Sequence, residues 1–149
     1  MRLQLALNVN DLEAAIDFYS KAFGAEVAKR RPGYANFAID DPPLKLVLFE
    51  APDATERINH LGVEVFDDAE VRAAGERLAA AGIEHHEEKE EVCCYAPQNK
   101  VITHDVDGTM WEWYRVLGDS DTFFAEAEPE ATSQEPVSAP EEERSPGCC

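Results

Sequence analysis

Gln4-Leu5-Ala6-Leu7-Asn8-Val9 and His60-Leu61-Gly62-Val63-Glu64-Val65 are the two stretches on which the fold turns. In each, Leu and Val alternate at least partly with other residues, the period-2 pattern of a strand. Each runs into a helix start. Asn10 with Glu13, and Asp67 with Glu70, have the spacing of an N-cap residue and its N3 acid. Helical spacing then appears in Leu12, Ile16, Tyr19 and Phe23, and again in Val71, Ala74, Leu78 and Ala81. Gly24 and Gly82 stand where C-terminal helix glycines stand. Further outward, strand-like runs occupy 26–31, 34–39 and 44–50 after the first helix, and 84–91, 100–105 and 109–116 after the second. Pro32-Gly33, Asp41-Pro42-Pro43 and Asp107-Gly108 punctuate them as turns. The same order of elements twice reads as an internal duplication. The expected fold is α+β, two βαβββ modules at about 1–55 and 56–118. Their helices lie outside, and their sheets enclose a cleft of the kind that holds a small ligand or metal.

Charge separates this unit from the C-terminal 31 residues. Thirteen basic and thirty-one acidic residues leave a net charge of −18 over 149 residues. Nine of the acids, against Arg144 alone, lie in 119–149, together with Pro129, Pro136, Pro140 and Pro146. After Phe124 only Val137 is a sizeable apolar residue there, too little to offset the entropy of ordering, so a disordered acidic tail is expected. The acidity argues against binding nucleic acid, which needs clustered Lys and Arg, and against docking on anionic membranes. No apolar run approaches the roughly 20 residues of a membrane span. Gln4 and Asn8 interrupt what a secretory signal would need after Arg2. The expected location is therefore the cytoplasm, where thiols stay reduced.

Three residues suggest a metal site. Gln4 and His60 hold equivalent places at the starts of the two repeats, so symmetric strands can aim both at one point. Glu112 sits inside Thr109-Met110-Trp111-Glu112-Trp113-Tyr114, either on a wet face or buried with a partner. Burying it alone would be costly, and a cation would remove the cost. One amide oxygen, one imidazole and one carboxylate leave half an octahedron open, which suits Fe(II) or a similar divalent ion. No thiolate belongs to the set, which disfavours a structural zinc.

The four cysteines fall in two adjacent pairs, Cys93-Cys94 and Cys148-Cys149. Read plainly, Cys93-Cys94 are two small apolar residues at a strand end. In a regular strand they face opposite sides, so joint action requires irregular backbone. Pro97 and Asn99 point to a loop over 94–99. A thiol pair matches a mono-organic trivalent arsenical, which keeps one carbon and has two exchangeable positions. Cys148-Cys149 could accept lipid, but such tails work with a basic stretch and this one is acidic. A mobile thiol pair is the favoured reading there. His85-His86 reads as part of an exposed acidic strand, His104 as structural, and Lys100 as a solvated strand start.

The repeat with Gln4, His60 and Glu112 resembles the vicinal oxygen chelate superfamily, which includes glyoxalase I, extradiol dioxygenases and bleomycin resistance proteins. Val9-Asn10-Asp11-Leu12 before Phe18-Tyr19, and Asp105-Val106-Asp107-Gly108 before Glu112, carry the likeness over about residues 2–118. With Cys93-Cys94, and Gln4 in place of the more frequent His, the chain is similar to the bacterial C–As lyases. These use Fe(II) and dioxygen to cleave trivalent organoarsenicals. The resemblance implies that Gln4, His60 and Glu112 bind iron and that Cys93 and Cys94 bind arsenic; the mechanism expected from this has the 93–100 loop close over the substrate and exclude water. The resemblance also implies that apolar Val47, the counterpart of Glu112, leaves three protein ligands. Pairing into a homodimer is common in the fold. A non-catalytic antibiotic-binding protein and glyoxalase- or extradiol-type chemistry are the alternatives.

Overall fold

A computed structural model describes residues 1–123 of the chain. The expectations for most of the acidic tail and for Cys148-Cys149 lie outside the described residues. The first module runs β1 (Arg2–Val9), α1 (Leu12–Phe23), β2 (Lys29–Arg31), β3 (Tyr34–Ile39) and β4 (Leu44–Glu50). The second repeats the order as β5 (Ile58–Glu64), α2 (Asp68–Ala80), β6 (His85–Cys93), β7 (Ala96–His104) and β8 (Met110–Val116). Both modules share one eight-stranded sheet, ordered β2-β3-β4-β1-β5-β8-β7-β6. The antiparallel β1·β5 pair joins them at its centre. In each module the first strand lies parallel to the last, β1 on β4 and β5 on β8.

The helices begin and end largely where side-chain chemistry dictates. Asp67 caps α2, accepting from Ala69 N at 2.8 Å, while Glu70 reaches back to Phe66 N at 3.2 Å. In α1 the cap is Asp11 rather than the expected Asn10: Asp11 Oδ1 accepts from Ala14 N at 2.9 Å. Asn10 Oδ1 is taken by Arg57 Nη1 at 2.8 Å, which removes it from competition. Gly24 ends α1 in the left-handed region at φ 59°, where a Cβ would be strained.

Alternation along the strands separates two environments. One face meets the helices: Phe37, Leu46 and Leu48 pack with Leu12, Ile16 and Tyr19 of α1, and Val65 and Val101 pack with Val71 and Leu78 of α2. The other face is also buried, yet polar. Gln4, Asn36, His60, Glu64, Gln98, Lys100 and Glu112 are all buried there. Such groups are stable inside a protein only when paired. Glu64 shows how: it pairs with Arg2 and, at 3.3 Å, with Lys45.

Three elements differ from the sequence-based expectation. The strand expected at 26–31 is limited to Lys29–Arg31. The expected loop at 94–99 is mostly strand: β7 starts at Ala96, and Cys93 pairs with Ala96 and Val92 with Pro97. Pro97 is tolerated because the sheet uses its carbonyl, which accepts from Leu117 N at 2.8 Å. Residues 119–123, assigned to the tail, pack on the domain instead. Asp119 pairs with Lys29 and Arg31, Ser120 N donates to Tyr95 O at 2.7 Å, and the Phe123 ring lies 5.4 Å from that of Tyr95.

Burial pushes the Glu64 carboxyl up, but Arg2 and Lys45 outweigh it and hold it below its ordinary value. A depressed carboxylate adds stability above its unfolded pKa and loses it as pH falls through the folded one. The Glu64→Gln variant should therefore show a smaller loss of unfolding free energy between pH 7 and pH 3 than the parent. Urea titrations at both pH values measure this, and parallel losses would mean that the Arg2 and Lys45 pairs contribute nothing net.

Candidate metal centre and thiol pair

Sheet register brings the three expected ligands together. Gln4 of β1 lies opposite Gly62 of β5, and Gly62 lies opposite Glu112 of β8, so the three form one row across the sheet. His60 is two residues along β5 from Gly62, on the same face, opposite Ala6. The β1·β5 pairing is two-fold: exchanging the strands maps Gln4 onto His60 and Ala6 onto Gly62. The same operation maps Glu112 onto Val47, which pairs with Ala6. The apolar counterpart expected at Val47 is therefore its structural equivalent.

Gly62 makes the convergence physical. A Cβ there would stand 3.1 Å from Glu112 Cγ and 3.4 Å from Gln4 Cβ, so a side chain would push the row apart. In its absence Gln4 Nε2 reaches Glu112 Oε1 at 2.9 Å and His60 Nε2 at 2.8 Å. His60 Nε2 and Glu112 Oε1 are themselves 3.4 Å apart, and both side chains are fully buried.

This arrangement fits a divalent cation. Burial lowers the His60 pKa; the Glu112 charge opposes the shift without cancelling it. The imidazole is thus neutral at pH 7, the form that ligates a metal. Glu112 Oε2 is buried with no hydrogen-bond partner among the described residues, and Lys100 Nζ is 3.8 Å away. The amide of Gln4 points its NH2 at an imidazole nitrogen and a carboxylate oxygen, the two atoms a cation would take. Ligation through Gln4 Oε1 would require a half-turn of that amide. The Tyr114 hydroxyl, which donates to Oε1, can equally accept from Nε2 after the turn. Among the described residues no three His, Cys, Asp or Glu side chains gather at one point; the set here is two of these plus an amide.

Lys100 corrects its reading as a solvated strand start. Its side chain is fully buried, with Nζ 3.3 Å from Glu88 Oε2 as well as near Glu112. The β7 strand, starting four residues earlier than expected, turns it inward beside the row. Only its place in an apolar-flanked strand could have signalled this. His86 is exposed and His85 half-exposed on β6, the exposed acidic strand expected there, and His104 is exposed at the end of β7.

The thiol pair occupies the tip of the β6–β7 hairpin. Cys94 and Tyr95 are its two central residues, with φ of 52° and 65°. Two positive φ values in a two-residue turn are ordinarily met by Asn-Gly. Side chains in this region cost about 1–2 kcal/mol per residue. The strained turn breaks strand alternation and brings the Cys93 and Cys94 sulfurs to the same side, 3.7 Å apart. At that distance no vicinal disulfide joins them. Cys93 is a buried thiol, and Cys94 is disulfide-bonded.

The hairpin tip crosses to the first module. Cys93 and Cys94 pack with Ala6, Tyr34 and Val47, and Lys29 Nζ donates to Tyr95 O at 2.5 Å. Beneath it a cavity of about 250 Å³ is lined by Cys94, Tyr34, Asn36, Lys45 and, at the metal row, Gln4. Burial raises the Tyr34 pKa to about 12, so this wall presents a neutral phenol.

Residues 3–113 match the family profile described as the Glyoxalase/Bleomycin resistance protein/Dioxygenase superfamily. A trivalent organoarsenical cleaving enzyme from Thermomonospora curvata is 58% identical over 123 residues, covering 81% of each chain. The cadmium-induced protein CadI of Mycobacterium bovis is 57% identical over 122 residues, covering 82% of this chain and 80% of CadI. Among solved structures, methylmalonyl-CoA epimerase from Streptomyces coelicolor superposes with a TM-score of 0.53 at 17% identity, covering 77% of this chain and 96% of that one. A duplicated βαβββ sheet, matched along nearly its whole length, places this chain in the glyoxalase/bleomycin resistance protein/dioxygenase superfamily.

Proposed function

We propose that this protein is an Fe(II)-dependent enzyme that uses dioxygen to cleave the carbon–arsenic bond of trivalent organoarsenicals, releasing inorganic arsenite in the cytoplasm. One observation carries the reading: a single cavity touches both Gln4 of the candidate metal row and Cys94 of the thiol pair. The 58% identical relative named as a trivalent organoarsenical cleaving enzyme supports it.

In this reading the reduced Cys93 and Cys94 displace the two hydroxyls of R–As(OH)2 as two waters, forming two As–S bonds and leaving the As–C bond intact. The 3.7 Å sulfur separation suits one arsenic bridging both. Because Cys94 is disulfide-bonded, capture follows thiol–disulfide exchange with a dithiol reductant, which leaves as its own disulfide and frees the Cys94 thiol. Gln4, His60 and Glu112 hold the cation. A bound Fe(II) supplies the activation of dioxygen. The remaining steps belong to the chain itself. The hairpin tip, tied to Lys29 through Tyr95 O, covers the cavity on one side and limits the access of water to it. Lys100 Nζ, 3.8 Å from Glu112 Oε2, offsets part of the carboxylate's charge, while Oε1 lies beside Gln4 and His60. Tyr34 and Val47 line the space beside the thiols. A second reading, capture of a thiophilic metal ion without chemistry, is favoured by the thiol pair and by the 57% identical cadmium-induced relative.

Reduced, Fe(II)-loaded protein given methylarsenite in air should release arsenite, measured by arsenic speciation. Omitting either Fe(II) or dioxygen should stop release, and arsenic bound without turnover would favour the second reading. Cys93→Ser and Cys94→Ser should each abolish release while the fold, followed by circular dichroism, persists; turnover surviving in either variant rejects the two-sulfur grip. Glu112→Ala should lose Fe(II), assayed by metal content after gel filtration, yet retain methylarsenite binding. Lys100→Met leaves Glu112 buried without its cation, so the metal-free variant should be less stable by about 3 kcal/mol. Urea unfolding with and without Zn(II) tests this, since a bound cation should recover most of the loss.

A further inference from the structure

The β1·β5 pairing contains one irregularity, and it lies beside the metal row. Leu7 pairs with Ile58 and Ala6 with His60, so Asn59 is an extra residue on β5 without a partner on β1. In an unbroken strand Asn59 and His60 would face opposite sides of the sheet. The bulge turns the Asn59 amide back onto its neighbour, and Asn59 Oδ1 sits 2.8 Å from His60 Nδ1. Bulges re-aim side chains near functional sites in this way.

The sense of that contact is fixed from a distance. The carbonyl of Glu56 can only accept, and Asn8 Nδ2 donates to it at 2.9 Å. Asn8 therefore presents Oδ1 to Asn59, and Asn59 Nδ2 donates to it at 3.0 Å. Asn59 is left with Oδ1 toward the ring, so His60 Nδ1 must carry the hydrogen. Asn8 is itself pinned, its backbone N–H donating to Arg57 O at 2.8 Å. A neutral imidazole has one N–H. Glu112 Oε1, 3.4 Å from Nε2, competes for it from the other side of the ring. If that carboxylate won, Nε2 would be protonated and unable to bind a metal. Gln4 Nε2 donates to both Nε2 and Oε1 and so reinforces the Nδ1–H form.

We propose that Asn59, presented by the β5 bulge and oriented through Asn8 by the Glu56 carbonyl, is a positioning residue that holds His60 as the Nδ1–H tautomer with Nε2 bare for metal. The inference rests on the metal-site reading above. It assigns work to the segment linking the two modules: the chain at 56–57 supplies the acceptor from which every later hydrogen bond takes its direction. Partners of this kind behind a histidine ligand typically contribute 10–100-fold in metal affinity.

The test separates the two ideas. Nitrogen-15 NMR of His60 in metal-free protein at pH 7 should show Nδ1 protonated and Nε2 bare. Asn59→Leu, nearly isosteric but without an acceptor, should shift population toward the Nε2–H form and weaken Zn(II) binding 10–100-fold by competition titration. Asn59→Asp, which still accepts from Nδ1, should restore the parent tautomer and affinity. If the Leu variant does not fold, Asn59→Ala poses the same question with less bulk. Unchanged tautomer and unchanged Zn(II) affinity in the acceptor-free variant would overturn the role of Asn59 and leave the metal site standing. Zn(II) binding as tight in His60→Ala as in the parent would overturn the metal site beneath it.

Discussion

Between Gln4 and Glu112 only a hydrogen atom fits. Gly62 stands in the middle of the row formed by β1, β5 and β8, and any Cβ there meets Glu112 Cγ and Gln4 Cβ at or inside contact distance. The antiparallel β1·β5 pair sets the row, and the two-fold character of that pair makes Gln4 and His60 face each other. The candidate centre is therefore a product of strand register. A slip of one residue in any of these strands would turn that strand's member of the row to the helix face.

That register has a large energetic anchor and a small polar consequence. The anchor is the apolar face between sheet and helices, where Phe37, Leu46 and Leu48 beneath α1, and Val65 with Val71 and Leu78 of α2, leave water almost entirely. Burying such side chains contributes roughly 1.5–3 kcal/mol each. The consequence is the opposite face, which must be polar and buried at once. Its groups are satisfied by one another: Glu64 by Arg2 and Lys45, Tyr34 by Asn36, Gln4 by His60, Glu112 and Tyr114. Glu112 Oε2 has no hydrogen-bond partner among the described residues, and the Lys100 ammonium stands 3.8 Å from it. Strain is found in the same region, in the Cys94-Tyr95 turn. Unfavourable local features gathered in one place are what a functional site looks like on an otherwise consistent fold.

Much of this was legible in the chain. The repeat was visible because strand and helix periods, cap residues and stop glycines recur in step. The candidate trio stood out because Gln4 and His60 head equivalent strands and Glu112 interrupts a run of aromatic residues. Less visible were the details that depend on neighbours. Asn10 and Asp11 are both good caps, and only the capture of Asn10 by Arg57 decides between them. Pro97 reads as a strand breaker, because the sequence does not reveal that its carbonyl is the group the sheet needs. Lys100 reads as solvated, because nothing local reports a carboxylate arriving from β8. Residues 119–123 read as tail, because Lys29 and Arg31, which hold Asp119, lie some ninety residues away.

The sequence by itself determined the duplicated βαβββ order, the faces of the helices and which side chains are candidates for the site, since periodicity and side-chain chemistry are local properties. Tertiary structure decided which of them meet. Register placed Gln4, His60 and Glu112 within 3.4 Å of one another, a strained turn brought two sulfurs to one side, and a single bulged asparagine came to face a ring nitrogen. Those outcomes depend on pairings between residues dozens of positions apart, which no local pattern encodes.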